Sequence, residues 1–415
     1  MDKILMYTLR EEDLAVTAGG VVNLILRNCV HVTGHEISRA KFAGGGITAD
    51  GMPVTVKDRI RPGQTLRVTL PEREPKPTEY GAHVVPEKPP EGILQFLYED
   101  EDLVALNKPA GTVVHPTHGH WHDTLGNYLA YYYGEQGEDV VCHVAGRLDM
   151  DTSGVLVFAK NRAAAGRLAR ERADGTFRRT YIAILHGSFE GQEKAPTGNG
   201  GGSRMAVSAD EGIPSKRDLM EADPVCISEK EYPDRVLCGG WHTVSLPIER
   251  VPGMLMKRRV AEEGGESAVT HYRILKTGTA VEAPLSLAEF TIDTGRTHQI
   301  RVHMAHLGHP LFGDPLYGSE ELDAEALAEM LPGRGIRRHA FLHARKVTLL
   351  QPFTGEKITI EAPEPEDFRE LENALQERRK VDSRRSKGYT KTREAKDENG
   401  RRDGSRREEI SAPLA

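Results

Sequence analysis

Two carboxylates, Asp149 and Asp151, stand two residues apart, between Arg147 and the small turn-forming run Thr152, Ser153 and Gly154. On an extended segment, residues i and i+2 face the same side. Carboxylates so placed could divide acid and base work on a glycosidic bond, or hold a metal as Asp-x-Asp. One ionised carboxylate could instead act alone, as a nucleophile or as a stabiliser of charge. An arginine within a few ångström would lower its pKa and orient it. A second arginine-rich segment, from Gly295 through Arg296 and Arg301 to His303, lies far downstream and is a candidate source of that arginine. A turn in which Asp151 or Ser153 merely caps backbone donors is the structural alternative.

The acidic turn lies between apolar stretches. Val140, Val141 and Val144 lead into it, and the run from Val155 to Ala159 follows as a strand. Further strands are expected at 103–107, 181–185, 269–275, 288–292, 346–350 and 358–360, and helices at 163–173 and 367–380. Many strands with few helices between them argue for an α+β fold on a mixed or antiparallel sheet.

Five segments, in order, resemble the RluA-type family of RNA pseudouridine synthases. They are Asn107-Lys108-Pro109-Ala110-Gly111 on to Pro116, then Arg147 to Gly154, then Arg179-Thr180-Tyr181, then Gly295 to His303, and finally Gly308 to Asp314. The resemblance runs from about residue 93 to 363 with one long interruption. It implies a long bent sheet with a central cleft. It also implies an isomerase that cuts the bond between uracil and ribose, turns the base and rejoins it through carbon, with no cofactor and no metal. By the same resemblance Asp149 is the catalytic carboxylate and Arg301 its pairing arginine. Tyr181 packs on the base, and Arg147 fills the space that a flipped base leaves, since extruding a base costs a few kcal/mol. Asp151 is read as structural, capping the turn at Thr152. Many relatives carry histidine directly before the Arg-Leu-Asp piece; this chain has Gly146.

The first 75 residues read as a small module of two short helices and several strands, similar to the αL-type RNA-binding module of a ribosomal protein. The resemblance implies phosphate contact from Arg39, Lys41 and Lys57, with helix-start donors assisting. Residues 76–92, rich in Pro, Glu and Lys, read as a linker. The catalytic domain is expected over 93–375, with an insertion at 188–246 that includes a glycine-rich run, Cys226 and Cys238. Residues 376–415 read as a charged disordered tail.

The 415-residue chain has 38% hydrophobic residues and no run of about 18 apolar ones, so no membrane span is expected. No secretory signal is read at Met1-Asp2-Lys3, and four scattered cysteines suit reduced thiols and a cytoplasmic setting. The formal net charge is -7, yet residues 376–410 hold 13 Lys and Arg against 8 Asp and Glu. A polyanion must therefore be met by a local basic groove rather than by the overall field. Four histidines between His115 and His122 could ligate a metal, but only Asp123 stands near them, and the segment is read as a loop beside RNA. The expected partner is RNA, ribosomal before transfer RNA, and the protein is read as a monomer. Two rivals stay open: a metal-dependent sugar transferase using both aspartates, and a noncatalytic RNA-binding or ribosome-assembly protein.

Overall fold

The computed structural model describes residues 2–42, 45–71, 84–138, 140–189, 235–237, 240–254, 256–280, 283–318, 323 and 339–385. Most of the expected insertion, with Cys226 and Cys238, and the charged tail beyond 385 lie outside the described residues.

The N-terminal part comprises β1 (Lys3–Thr8), α1 (Val22–Asn28), α2 (Gly34–Ala40), β2 (Ile47–Ala49), β3 (Met52–Pro53) and β4 (Thr65–Leu70). The sheet runs β1-β4-β2-β3. Val22, Ile25, Leu26 and Ile37 from the two helices bury against Leu66 and Val68 of β4. A capping box starts α2: the Thr33 hydroxyl accepts the Glu36 N–H, and the Glu36 carboxylate accepts the Thr33 N–H at 2.7 Å.

The rest of the chain forms β5 (Phe96–Glu99), β6 (Leu103–Lys108), α3 (Leu125–Glu135), β7 (His143–Val144), β8 (Ser153–Ala159), α4 (Arg162–Asp174) and β9 (Arg178–His186). It continues through β10 (Arg235–Leu237), β11 (Trp241–Ser245), β12 (Ile248–Arg250), β13 (Arg258–Val260), β14 (Val269–Ala280) and β15 (Ala283–Ile292). It closes with α5 (Gln299–His306), β16 (Leu342–Leu350), β17 (Lys357–Glu361) and α6 (Glu366–Arg385). Among the described residues, eleven of these strands form one sheet in the order β10-β11-β14-β15-β9-β16-β8-β6-β5, with β17 on β16 and β7 on β8, while β12 and β13 pair with each other in a separate sheet. The pairings are antiparallel apart from the parallel contact of β16 with β8. The fold is α+β.

Strand β8 is buried along its whole length, which its unbroken apolar run requires. Leu156 and Phe158 face Leu125 and Leu129 of α3, while Val155, Val157 and Ala159 face Ala164 and Leu168 of α4. At its start Gly154 has φ +110, and a Cβ there would lie 2.3 Å from the Ala344 carbonyl oxygen. Only glycine lets β8 and β16 come together at that point.

The N-terminal part docks on the rest of the chain at α4 and just before β6. Glu36, already fixed in its capping box, pairs with Arg167 at 2.7 Å, and Lys3 pairs with Asp102 at 2.8 Å. The ring of Phe353 lies between the Lys3 and Arg167 charges, 4.8 and 4.2 Å from its centroid.

Two buried histidines set an acid limit on the fold. His343 Nδ1 accepts from the Ser153 hydroxyl at 2.8 Å, and His303 Nε2 donates to the Leu246 carbonyl at 3.0 Å. Burial pushes both down to about 4. The folded state then holds fewer protons than the unfolded one between about pH 6.5 and 4, so stability present above pH 6.5 is lost as pH falls through that window. Thermal unfolding should show the midpoint dropping across it. A His343→Gln variant, less stable at pH 7, should show a shallower drop.

Candidate active site

The turn before β8 is held from below. The Asp149 carbonyl accepts the Thr152 N–H at 3.1 Å, which closes the turn. The Lys108 ammonium, fully buried, donates to the carbonyls of Met150, Thr152 and Pro109 at 2.8, 2.7 and 3.0 Å. Burial pushes this ammonium down to about 7, against the opposing field of Asp149 and Asp151. Lys108→Met would leave buried carbonyls unpaired, at about 1–3 kcal/mol for such groups. The variant is expected to unfold at lower temperature and to turn over more slowly, as thermal melts and single-turnover assays would show.

A cleft of about 300 Å³ opens above the turn and is lined by Arg147, Asp149, Tyr181 and Arg301 together. Asp149 is half-buried, and its carboxylate makes no hydrogen bond or ion pair with any described residue. Tyr181 is buried in β9, and its phenol accepts from Arg179 Nη1 at 3.3 Å. Arg179 also donates to the Gly146 carbonyl at 3.1 Å and the Arg147 carbonyl at 3.4 Å, tying β9 to the acidic loop. Arg147 itself is exposed at the cleft mouth.

Arg301 is 1% exposed, and its direct partner is Asp314 rather than the expected Asp149. Nε and Nη2 donate to the two Asp314 oxygens, each at 2.7 Å. The planar fork matches a planar carboxylate, and such a bidentate pair holds a buried arginine better than a single contact would. Nη1 lies 3.5 Å from Asp151 Oδ2 and has no hydrogen bond. Asp151 therefore faces Arg301, and no described hydrogen bond has it capping the turn. The Ser153 hydroxyl is taken by His343.

The cleft also contains His298, which begins α5 in a left-handed conformation with φ 58° and ψ 23°. A non-glycine residue there is strained, a feature that collects at functional sites. The Tyr317 hydroxyl accepts the Arg258 N–H at 2.8 Å and shares a hydrogen bond with His298 Nδ1 at 3.0 Å. Burial lowers the His298 pKa, which the field of Asp149 opposes. Sequence reasoning assigned no role to His298, Lys108, Arg179 or Asp314, although all four fall in the quoted segments.

Arg39, Lys41 and Lys57 are not in this cleft. Arg39 donates to the Pro71 carbonyl and lines a separate hollow between α2 and α4, while Lys41 and Lys57 are exposed elsewhere on the N-terminal part. In the histidine loop, His120 pairs with Asp123 at 2.6 Å. Among the described residues no three His, Cys, Asp or Glu side chains gather as metal ligands.

An unpaired carboxylate in an arginine-lined cleft at the centre of an α+β sheet suits an enzyme working on a polyanion. The cleft lining includes five arginines and two aspartates, despite a whole-chain charge of -7. Residues 102–306 match the RNA pseudouridylate synthase family. An uncharacterized RNA pseudouridine synthase of Bacillus subtilis is 34% identical over 312 residues, covering 75% of this chain and 79% of its own. A ribosomal large subunit pseudouridine synthase D of Xanthomonas campestris is 32% identical over 348 residues, covering 82% and 86%. An uncharacterized RNA pseudouridine synthase of Synechocystis is 33% identical over 386 residues, covering 88% and 95%. The chain belongs to the RNA pseudouridine synthase family and is an RluA-type member.

Proposed function

We propose that this enzyme isomerises specific uridines in large-subunit ribosomal RNA, in the cytoplasm, as a monomer and without a cofactor. In the reaction the N1–C1′ bond breaks and a C5–C1′ bond forms. The proton leaves C5 and a proton returns to N1, so no oxidant or energy source is needed. Asp149 is the carboxylate that acts at the sugar. The observation that carries this reading is its freedom: it faces the arginine-lined cleft with no hydrogen bond or ion pair to any described residue, while Arg301 behind it is fixed by Asp314. Arg301 acts on it through its field. Tyr181 stacks on the base, oriented by Arg179. Arg147, exposed at the mouth, supports flipping. The N-terminal part serves as an αL-type RNA-binding module through Arg39, Lys41 and Lys57. Ribosomal RNA is favoured by the Xanthomonas relative named for the large subunit.

The test is to incubate the purified protein with total RNA from a strain lacking its gene and to map pseudouridines by chemical adduct sequencing. New sites in large-subunit RNA that depend on Asp149 are the expected result. Binding without any product would favour the noncatalytic rival.

A further inference from the structure

Gly146 has φ +85 and sits under the side chain of Arg172. A Cβ at this position would lie 3.1 Å from Arg172 Nε and 3.3 Å from Cζ, closer than ordinary contact. Gly295, across the cleft, would place a Cβ 3.5 Å from Arg172 Nη2. Arg172 thus leaves the last turn of α4 and crosses between two glycines into the lining of the cleft. A histidine at 146 would occupy that path.

The guanidinium that arrives there has no hydrogen bond or ion pair with any described residue. No described carboxylate lies within 4 Å of Arg172, Arg147 or Arg179. Arg179 is held through Nη1 and Nη2 by carbonyls and the Tyr181 phenol, so its charge is fixed in place, with only its buried Nε lacking a hydrogen bond. Arg172 and Arg147 keep theirs. Burial and the charges of Arg179 and Arg147 all work against the Arg172 charge. Like charges collected without an acid are stabilised when an anion arrives among them, and the planar fork of arginine suits a phosphate.

We propose that Arg172, admitted by Gly146 and flanked by Arg147 and Arg179, binds a backbone phosphate of the RNA strand that carries the target uridine. The proposal rests on the RNA pseudouridylation reading for the identity of the strand.

The experiment compares wild type, Arg172→Gln and Arg172→Lys on a large-subunit ribosomal RNA transcript, measuring binding against salt and pseudouridine formation. Arg172→Gln is expected to weaken binding about tenfold at low salt, as for one lost charged contact. It should also make the slope of log affinity against log salt shallower by about 0.7–0.9. Arg172→Lys should restore the slope and most of the affinity. Gly146→Ala should cost affinity in wild type and much less in the Arg172→Gln background, because the two changes act on the same guanidinium. A slope unchanged in Arg172→Gln, while wild type forms pseudouridine, would overturn the phosphate site and leave the enzymatic reading standing. If wild type binds but forms no pseudouridine, the enzymatic reading fails, and the salt slopes still decide the phosphate site.

Discussion

Asp149→Asn is expected to lower turnover by at least about 10³-fold, equivalent to about 4 kcal/mol of transition-state stabilisation. The substitution keeps the shape of the side chain and removes only its charge. Three consequences follow from the site. Stability should change little, because the carboxylate makes no described hydrogen bond or ion pair. RNA affinity should hold or rise slightly, because a negative charge leaves a cleft whose other lining charges are mostly arginines. The Lys108 ammonium, already pushed down to about 7 by burial, loses one of the two carboxylates that oppose that push. Single-turnover pseudouridine formation, equilibrium binding on one RNA and a thermal melt would measure turnover, affinity and stability. Full activity in the variant would refute the assignment. Asp151→Asn is the internal comparison. Equal losses at both aspartates, together with inhibition by chelator, would instead support the paired-carboxylate transferase.

The parts of the molecule that repeat a strong periodic signal were legible in the sequence. β8, α4, β9, β15, β16 and β17 lie where their apolar runs and turn residues put them. β1 was missed because Ile4, Leu5, Met6 and Tyr7 are apolar on both faces, which hides the alternation; Ile4 and Met6 are indeed exposed. α3 was missed because its apolar face is built from Tyr128, Leu129 and Tyr133 amid glycines at both ends, a composition that reads as loop or strand. At the site, Arg147, Asp149, Tyr181 and Arg301, which line one cleft, could be named from motif resemblance. Those that hold them could not, because their partners are backbone carbonyls or residues far along the chain. Nothing local marks Lys108 as the post beneath a turn more than 40 residues later. The pairing of Arg301 with Asp314 spans only 13 residues, yet it depends on α5 turning its third residue inward. The expected partner, Asp149, carried the motif; the actual one closed the last segment and looked like a turn residue.

Asp314→Ala is expected to be the most destabilising single change at the site. It would leave the Arg301 guanidinium, 1% exposed, with no bidentate acceptor. Breaking a buried pair from one side typically costs about 3–5 kcal/mol, because the remaining charge is uncompensated. That is a large share of the roughly 5–15 kcal/mol that stabilises a folded protein. The loss would spread, since Asp314 Oδ1 also accepts the Leu316 and Tyr317 N–H groups at 2.9 and 3.1 Å. Tyr317 in turn fixes His298, so one side of the cleft would loosen. Turnover should fall with stability, and the two effects can be separated. Arg301→Met combined with Asp314→Leu removes both charges and should recover much of the lost stability, because an apolar pair avoids the desolvation cost. It should not recover turnover, since the arginine proposed to act on Asp149 is gone. Urea unfolding midpoints beside single-turnover rates would show this split. An Asp314→Ala protein that lost less than about 1 kcal/mol would mean that a neighbour such as Asp151 takes over the guanidinium. A double variant that regained activity would show that Asp149 works without Arg301.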